Sequence, residues 1–266
     1  MLSPRRRGSS VKNKFKRLDS RFRGNDKVRA MFDLEKKLIS EGYDFVIGID
    51  EAGRGPLAGP VVACACALKT LGVASLRHPV SKFEMIRDSK KLSEKQRENL
   101  FDFIQENFYV GVGICNHLTI DRINILEASF LAMKKAIGDL NKNLLSFPRR
   151  RESSVKTNFG DWIPACAGMT TRTIILVDGN KVIPNLSIEQ RAIIGGDKIV
   201  KSISAASIIA KVTRDRIMRE MHMKYPEYNF AQHKGYGTKI HMAALKKYGP
   251  CEIHRKSFRP VRESVK

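Results

Sequence analysis

The sequence predicts an α/β fold in which a mixed five-stranded sheet is flanked by helices. Five short apolar or alternating segments are bounded by turn residues, a pattern typical of strands. The first two are joined by a turn too short for a crossover helix, so they are expected to pair antiparallel. A third completes an antiparallel meander, and two later strands, separated from it by helical patterns, are expected to add in parallel.

The predicted elements follow in chain order. The strands are YDFVIGID (43–50), VVACACAL (61–68), FYVGVGIC (108–115), TIILVDGN (173–180) and RAIIGGD (191–197). A short helix is predicted from Met31 to Ser40, and Ser93 with Gln96 forms a potential capping box for a second helix over 94–106. Residues 119–140 have the apolar spacing of one or two helices, and residues 202–225 form the strongest helical pattern in the chain.

The composition favours a polyanionic partner. Lys and Arg outnumber Asp and Glu 49 to 27, a net charge of +22, which suits nucleic acid or an anionic membrane surface. No apolar run reaches the roughly 18 residues that span a bilayer, and the N-terminus lacks a secretory pattern, so a cytoplasmic protein is expected. The five cysteines contain no CxxC pair, which favours buried free thiols over a zinc site.

One twelve-residue segment occurs twice. PRRRGSSVKNKF (4–15) and PRRRESSVKTNF (148–159) agree at nine of twelve positions. Two copies without a helical or strand period do not make a solenoid, and they suggest a mobile repetitive DNA element read through in frame. The alternatives are a nucleic-acid-binding arm and an organelle transit peptide, although a mid-chain copy argues against the latter. Residues 1–30 are therefore expected to be a disordered basic extension, and 146–172 an insert in the domain 31–266.

Acidic residues stand at three predicted strand ends: Asp50 with Glu51, Asp178 and Asp197. Each alone is explained by turn chemistry, as the Asp-Gly pair at 178 illustrates. If neighbouring strands end side by side about 5 Å apart, however, the four carboxylates converge within the span of a two-metal site. Hard oxygen ligands select Mg²⁺ or Mn²⁺ over zinc. Such a pair of ions suits phosphodiester hydrolysis.

Eight segments resemble, in the family's order, the motifs of bacterial ribonuclease HII. They are GIDEAGRGPLAGPVV (48–62), DSKKLS (88–93), NILEASFLAM (124–133), LVDGN (176–180), GGDK (195–198), SAASIIAKVTRD (204–215), QHKGYGT (232–238) and HRKSF (254–258). The resemblance covers nearly all of 43–259 except the insert. It implies an RNase H-like sheet with a C-terminal helical segment, making 31–266 the catalytic domain.

The activity implied by the resemblance is metal-dependent hydrolysis of RNA in RNA–DNA hybrids and nicking 5′ of single ribonucleotides in duplex DNA. The products would carry 3′-hydroxyl and 5′-phosphate ends. Asp50, Glu51, Asp178 and Asp197 would hold two Mg²⁺ or Mn²⁺ ions, and Asp50 would bridge them. Asp215 is instead expected to pair with a neighbouring Arg or Lys on its helix. No small-molecule cofactor or membrane is implied, and a monomer is expected.

Recognition of a ribose requires detection of its 2′-hydroxyl. Gly53, Arg54 and Gly55 allow close backbone approach beside the acids, and the resemblance assigns them to the ribose and Tyr236 to the RNA–DNA junction. A tight turn and an edge-of-core tyrosine are the structural alternatives. A further set is expected to contact phosphates without reading sequence, namely Lys90, Lys91 and Lys211. The small residues of SAAS are expected to admit a duplex backbone near a helix start.

Two other functions are considered. A dinucleotide-binding enzyme would need a helix after the glycines, but residues 61–68 form a strand pattern, and no acid follows at the required spacing. The second is a hybrid-binding protein whose catalysis is impaired by the insert just upstream of Asp178. Metal-dependent cleavage distinguishes that alternative from an active enzyme.

Overall fold

The computed structural model describes residues 32–69, 80–145 and 172–264. The predicted extension 1–30, and all of the predicted insert except Arg172, lie outside these ranges. The strands are β1 (Phe45–Ala52), β2 (Val61–Leu68), β3 (Phe108–Cys115), β4 (Thr173–Asp178) and β5 (Glu189–Ile193). The α-helices are α1 (Asp33–Ser40), α2 (Val80–Glu84), α3 (Glu94–Asn107), α4 (His117–Ile123), α5 (Ile125–Leu145), α6 (Gly196–Ile199), α7 (Lys201–Lys224), α8 (Phe230–His233), α9 (Lys239–Tyr248) and α10 (Arg259–Glu263).

The five strands form one mixed sheet in the order β3-β2-β1-β4-β5. Strands β1, β2 and β3 pair antiparallel, whereas β4 pairs parallel with β1 and with β5. The predicted meander with parallel additions is therefore confirmed. In the β1–β4 register Ile49 lies opposite Val177, so Asp50 and Asp178 follow side by side at the same edge of the sheet.

Helices pack closely on both faces of the sheet because the strands carry glycine at the contacts. A Cβ built on Gly113 of β3 would lie 2.0 Å from the Ala132 carbonyl oxygen of α5. On the other face, a Cβ on Gly48 of β1 would lie 2.2 Å from the Ser202 carbonyl carbon of α7. The main apolar cluster fills the space between α5 and the sheet, which makes the sheet a rigid platform for its own edge.

The small residues of SAAS serve this packing, so the expectation that they admit a duplex backbone is wrong. Ser204 and Ala205 are 2% and 0% exposed. One amide in the first turn of α7 is also already bonded, because the buried Glu35 carboxylate accepts hydrogen bonds from the Ser202 amide and hydroxyl at 2.9 and 3.0 Å. The Glu35 carboxylate therefore lies at the start of α7, where the sequence analysis expected a phosphate of the duplex backbone.

Most predicted helix and strand boundaries lie within two residues of the observed ones, but the predicted strand 191–197 is wrong beyond Ile193, where β5 ends and a turn leads into α6. The Ser93–Gln96 capping box forms and begins α3, which ends one residue later than expected. The 119–140 pattern is two helices, which meet at Asn124. Four cysteines in the described ranges are free thiols, three of them buried, while Cys166 lies outside them. In those ranges, no helix is long and apolar enough to cross a membrane.

Candidate active site

The four predicted acids lie near one end of the sheet, where the neighbouring strands β1 and β4 finish; this end is called the acidic edge below. Asp50 and Glu51 are the last but two and last but one residues of β1, and Asp178 ends the neighbouring β4. Asp197 corrects the sequence prediction, because it does not end a strand. It lies in the first turn of the short helix α6, four residues after Ile193, where the five-residue strand β5 ends. The fold thus brings acids from three elements to one edge.

Asp50 is buried among polar partners. Its side chain is 7% exposed, and its Oδ1 accepts a hydrogen bond from the Glu51 amide at 2.7 Å. The Ser207 hydroxyl also bonds the Asp50 carboxylate and lies 2.9 Å from the Ser89 hydroxyl. Burial, followed by the negative charge of Glu51, raises the pKa of Asp50 well above its usual range, and Asp178 adds to the increase. The ionised Asp50 carboxylate is therefore not fully compensated by the groups around it, and a bound cation would stabilise it.

Asp178 and Asp197 form the second half of the acidic cluster. The Asp197 amide donates to Asp178 Oδ1 at 3.4 Å, and the Ser204 hydroxyl donates to the Asp197 carbonyl at 2.8 Å. Burial, followed by the charge of Asp197, raises the pKa of Asp178. The backbone of α6 is thereby held against the end of β4, with the two carboxyl groups close enough for the charge of Asp197 to act on Asp178.

Two basic side chains reach the cluster from solvent. Arg54 Nη1 lies 3.1 Å from Glu51 Oε1, and Lys90 Nζ lies 3.6 Å from Asp197 Oδ2. Burial nevertheless raises the pKa of Glu51, in opposition to Arg54. Burial opposes the charge of Lys90, but Asp197 and Asp50 outweigh it and raise the pKa of this ammonium group. Since the side chains of Arg54 and Lys90 are half or more exposed, both ion pairs are weak and easily exchanged.

The donor set fits hard divalent cations. Four carboxylates supply only oxygen, and burial with mutual repulsion raises the pKa of three of them. In the chain as described, no three acidic, histidine or cysteine side chains already converge on one point that would hold a metal ion. Glu51 and Asp197 are instead directed at Arg54 and Lys90. The chemistry of the cluster therefore suits Mg²⁺ or Mn²⁺ once those two carboxylates exchange their partners.

The Gly53-Arg54-Gly55 turn lies directly beside Tyr236. Gly53 has a φ of +99°, which favours glycine, and a Cβ built on Gly55 would lie 3.6 Å from Tyr236 Cε1. The Tyr236 side chain is 44% exposed. Its loop is joined to the turn's continuation by a 2.8 Å hydrogen bond from the Leu57 amide to the Gly235 carbonyl. The structure thus brings together Gly55 and Tyr236, which are 181 positions apart in the sequence.

Sequence reasoning missed two buried arginines beneath this turn. Arg214 of α7 is 1% exposed and Arg255 is 0% exposed. They lie in the VTRD and HRKSF segments, which the sequence marked without giving these side chains a role. Arg255 donates to the carbonyls of Gly53 and Arg54 at 2.6 and 3.0 Å, so it holds the turn from below. The signal that could have found Arg214 is its position on the apolar stripe of a helix.

Of the remaining residues discussed in the sequence analysis, some are exposed to solvent and others are bonded to neighbouring groups of the protein. Lys91 is exposed to solvent. Lys211 is largely buried and lies 2.6 Å from Asp215, which also approaches Arg97 at 3.7 Å. The predicted pairing of Asp215 within its helix is confirmed. His233, left without a role by the sequence, is buried and caps its own loop, where its Nδ1 accepts the Gly235 amide at 3.2 Å.

Comparisons with known proteins are consistent with this geometry. A family model described as Ribonuclease HII matches residues 47–148 and 165–261. The curated ribonuclease HII of Caldicellulosiruptor bescii is 47% identical over 228 residues, covering 85% of this chain and 92% of that protein. The crystal structure of ribonuclease H2 from Pyrococcus horikoshii OT3 matches with a TM-score of 0.54 and 25% identity, over 83% of this chain and 96% of that chain. A Bst ribonuclease HIII solved in complex with Mn²⁺ matches with a TM-score of 0.60 at 15% identity, over 83% and 69% of the two chains, a likeness of fold alone.

Proposed function

Because the chain belongs to the ribonuclease HII family, we propose that this ribonuclease H endonuclease not only cuts RNA in RNA–DNA hybrids but also nicks duplex DNA 5′ of a single embedded ribonucleotide. The observation that supports the proposal is the contact between the acidic edge and a turn built for close approach. Glu51 is separated from Gly53 by one residue, and Gly55 adjoins Tyr236. A cutting site and a sugar-recognition site therefore share one loop.

The family is metal-dependent, and the acids are proposed to bind two Mg²⁺ or Mn²⁺ ions. Asp50, Glu51, Asp178 and Asp197 are the ligands in this proposal, with Asp50 shared between the ions. When bound, such ions would activate a water for in-line attack and stabilise charge on the leaving 3′ oxygen, giving 3′-hydroxyl and 5′-phosphate ends. Support comes from the raised pKa values of the buried carboxylates, which an added cation would lower again.

The protein's own groups would orient the substrate. Ser207 and the Glu51 amide fix the Asp50 carboxylate, so it need not reorganise during cleavage. The 53–55 turn is proposed to receive the ribose, and the exposed Tyr236 ring to stack on the sugar that follows it. Both would reject a substrate that lacks the 2′-hydroxyl or offers a different sugar shape at the junction.

Lysines beside the site are proposed to contact phosphates. Lys90 and Lys91 lie on the loop before α3, and both are exposed. Lys211 would have to release Asp215 before it could reach a phosphate, so its contribution is proposed to be smaller. Such contacts fix the register of a duplex without reading its sequence. The net charge of +22 supports a polyanionic substrate in general.

Residues 1–30 and 146–172 are proposed to be additions to a single catalytic domain. The family match begins at residue 47 and omits 149–164, which falls inside the predicted insert. On the far side of that insert, β4 still pairs with β1 in a continuous register from Thr173 to Val177. This continuity favours an active enzyme over a binding protein with impaired catalysis. A monomer acting in the cytoplasm remains part of the proposal.

The test is cleavage of a labelled DNA duplex that contains one ribonucleotide. The reaction is run with Mg²⁺, with Mn²⁺ and with chelator, and the cut is mapped against an all-DNA duplex as control. A nick on the 5′ side of the ribonucleotide that requires metal is the expected result. Tight binding of the duplex without any cut in either metal would overturn the proposal and favour the impaired binding protein.

A further inference from the structure

Two buried guanidinium groups lie under the turn that faces the proposed ribose site. Arg214 and Arg255 are among the largest fully buried side chains in the described ranges. Within those ranges, no carboxylate lies within 4.0 Å of either guanidinium group. Burial lowers the pKa of Arg214 to about 10 and that of Arg255 to about 9, and the nearby Arg214 charge contributes to the second decrease. Two like charges therefore remain buried together near neutral pH, an arrangement that costs free energy.

Backbone carbonyls, rather than acids, satisfy these two side chains. Arg214 donates to three carbonyls, and Arg255 donates to four. The acceptors of Arg214 are Pro60 at 3.0 Å, Ala58 at 3.1 Å and Lys234 at 3.0 Å. The acceptors of Arg255 are Gly53 at 2.6 Å, Arg54 at 3.0 Å, Gly59 at 2.9 Å and Pro60 at 3.1 Å. Only the forked geometry of arginine can serve so many separate carbonyls at once.

This bonding determines which way the turn presents its amides. In a trans peptide the carbonyl and the amide N–H point in opposite directions. Because the carbonyls of Gly53 and Arg54 point inward to Arg255, the N–H groups of Arg54 and Gly55 point away from it. Neither N–H has an acceptor within the described part of the chain. Successive outward amides with positive charge behind them attract a hydroxyl or phosphate oxygen.

Arg214 connects the segment that directly follows this turn to the tyrosine loop. It bonds Pro60 on one side and Lys234, two residues before Tyr236, on the other. Its guanidinium carbon lies 5.9 Å from the centre of the Tyr236 ring. Arg214 therefore bonds both loops and, together with the Leu57–Gly235 backbone hydrogen bond, fixes the distance between the turn and Tyr236.

We propose that Arg214 and Arg255 are positioning residues for ribose recognition, which hold the Arg54 and Gly55 amides outward and fix Tyr236 at its distance from them. The inference rests on the proposed function of the turn and of Tyr236. It adds that discrimination of a single ribonucleotide depends on two side chains that never touch the substrate. Metal binding should be independent of them, because the acids lie on β1, β4 and α6 and bond neither arginine.

The experiment replaces each arginine by lysine, which keeps the charge but cannot reach separate carbonyls. Arg216→Lys and Arg259→Lys are matched controls, since these arginines are more exposed and pair with Glu98 and Glu263. kcat and KM are measured on a duplex with one ribonucleotide and on an RNA–DNA hybrid, and Mn²⁺ affinity is measured by calorimetry without substrate. Arg214→Lys and Arg255→Lys should lower kcat/KM on the single-ribonucleotide duplex at least about tenfold more than on the hybrid, with Mn²⁺ affinity unchanged.

Equal losses on the two substrates, or no loss, would overturn the inference. A wild-type protein that cuts neither substrate would instead refute the proposed function, so the two failures are distinguishable. A second measurement needs no variant and covers the case in which lysine prevents folding. In wild-type protein without divalent metal, amide exchange at Arg54 and Gly55 should slow at least about tenfold with the ribonucleotide-containing duplex relative to all-DNA duplex. The same exchange rate in both complexes would contradict outward amides that bind the ribose.

Discussion

Along the sequence, Ala52 separates the acids Asp50 and Glu51 from the segment 53–60 that two buried arginines bond, and these two buried clusters of like charge are satisfied in opposite ways. On one side are carboxylates, led by Asp50, whose pKa burial and mutual repulsion raise. On the other side are Arg214 and Arg255, whose pKa burial lowers but whose guanidinium nitrogens each donate to at least one backbone carbonyl. Within the described residues, the positive charge that pairs with the acids comes from the exposed side chains of Arg54 and Lys90. The arginines have all their partners inside the fold.

This difference indicates that the carboxylate cluster is suited to bind cations, whereas the arginine cluster is suited to hold a loop in place. A cluster of uncompensated carboxylates gains free energy when cations bind, which is the condition for metal-dependent hydrolysis. A cluster of arginines bonded to carbonyls gains nothing from a ligand, but it prevents movement of the loop that it holds. Changes among the acids should therefore affect chemistry with little loss of stability, and changes near the arginines should affect stability and substrate selection.

The largest effect should come from Asp50→Asn. Removing the carboxylate proposed to be shared by both ions should lower kcat on RNA–DNA hybrid by at least about 10³-fold, while duplex affinity changes little. The measurements are single-turnover cleavage in Mg²⁺ and in Mn²⁺, with binding followed by fluorescence anisotropy. Asp102→Asn, at an exposed acid of α3, is the control and should cut normally. Turnover by the Asp50 variant within tenfold of wild type would refute the two-metal assignment.

The next effect concerns stability and compares two glycines of one turn. Gly53→Ala should destabilise the protein by roughly 1–3 kcal/mol or more, because φ is +99° and the new Cβ would lie 2.2 Å from Arg214 Nε. Gly55→Ala should cost less than about 1 kcal/mol, because its Cβ meets only Tyr236 at an ordinary distance of 3.6 Å. Urea unfolding of both variants checks the difference. Equal destabilisation would mean that the arginines do not fix the turn.

Tyr236→Ala should affect selectivity with little effect on stability. The residue is 44% exposed, so the free energy of unfolding should change by about 0.5 kcal/mol or less. Loss of stacking should lower kcat/KM on a single-ribonucleotide duplex by roughly 10- to 100-fold, and the loss on a long hybrid should be smaller. Tyr236→Phe, which keeps the ring, separates stacking from hydrogen bonding. Equal losses of the alanine variant on both substrates would count against a junction role.

The smallest effect is a pH dependence of the metal-free protein. Since the pKa of Asp50 is raised in the folded state, the protonated form is favoured there, and stability falls as pH rises through that pKa. In chelator at pH 8, Asp50→Asn should therefore melt above wild type by about 2–4 °C, the shift that about 1 kcal/mol produces in a domain of this size. The difference should shrink as pH falls and Asp50 becomes protonated. A variant that melts lower than wild type at pH 8 would contradict the uncompensated-charge interpretation.

Much of the fold was predictable because local patterns and sheet geometry agree. The register of β1 with β2 follows from the short GRGPLAGP connection, and the capping box at Ser93 forms as its spacing requires. The site was less predictable. The helix that carries Asp197 and the pairing of Glu35 with the start of α7 depend on contacts between distant segments, which no local pattern encodes. SAAS was misread for the same reason, since small residues suit both a duplex and a sheet.

The sequence by itself determined the strands, the long helices and the family to which the chain belongs, because these depend on periodicity and on the order of motifs. It also identified Asp50, Glu51, Asp178 and Asp197 as candidates. Only the tertiary structure decided that Arg214 and Arg255 lie beneath the 53–55 turn and that Tyr236 lies beside it. The physical reason is that a buried arginine is stable only where carbonyls from separate loops converge, and such convergence exists only in the folded chain.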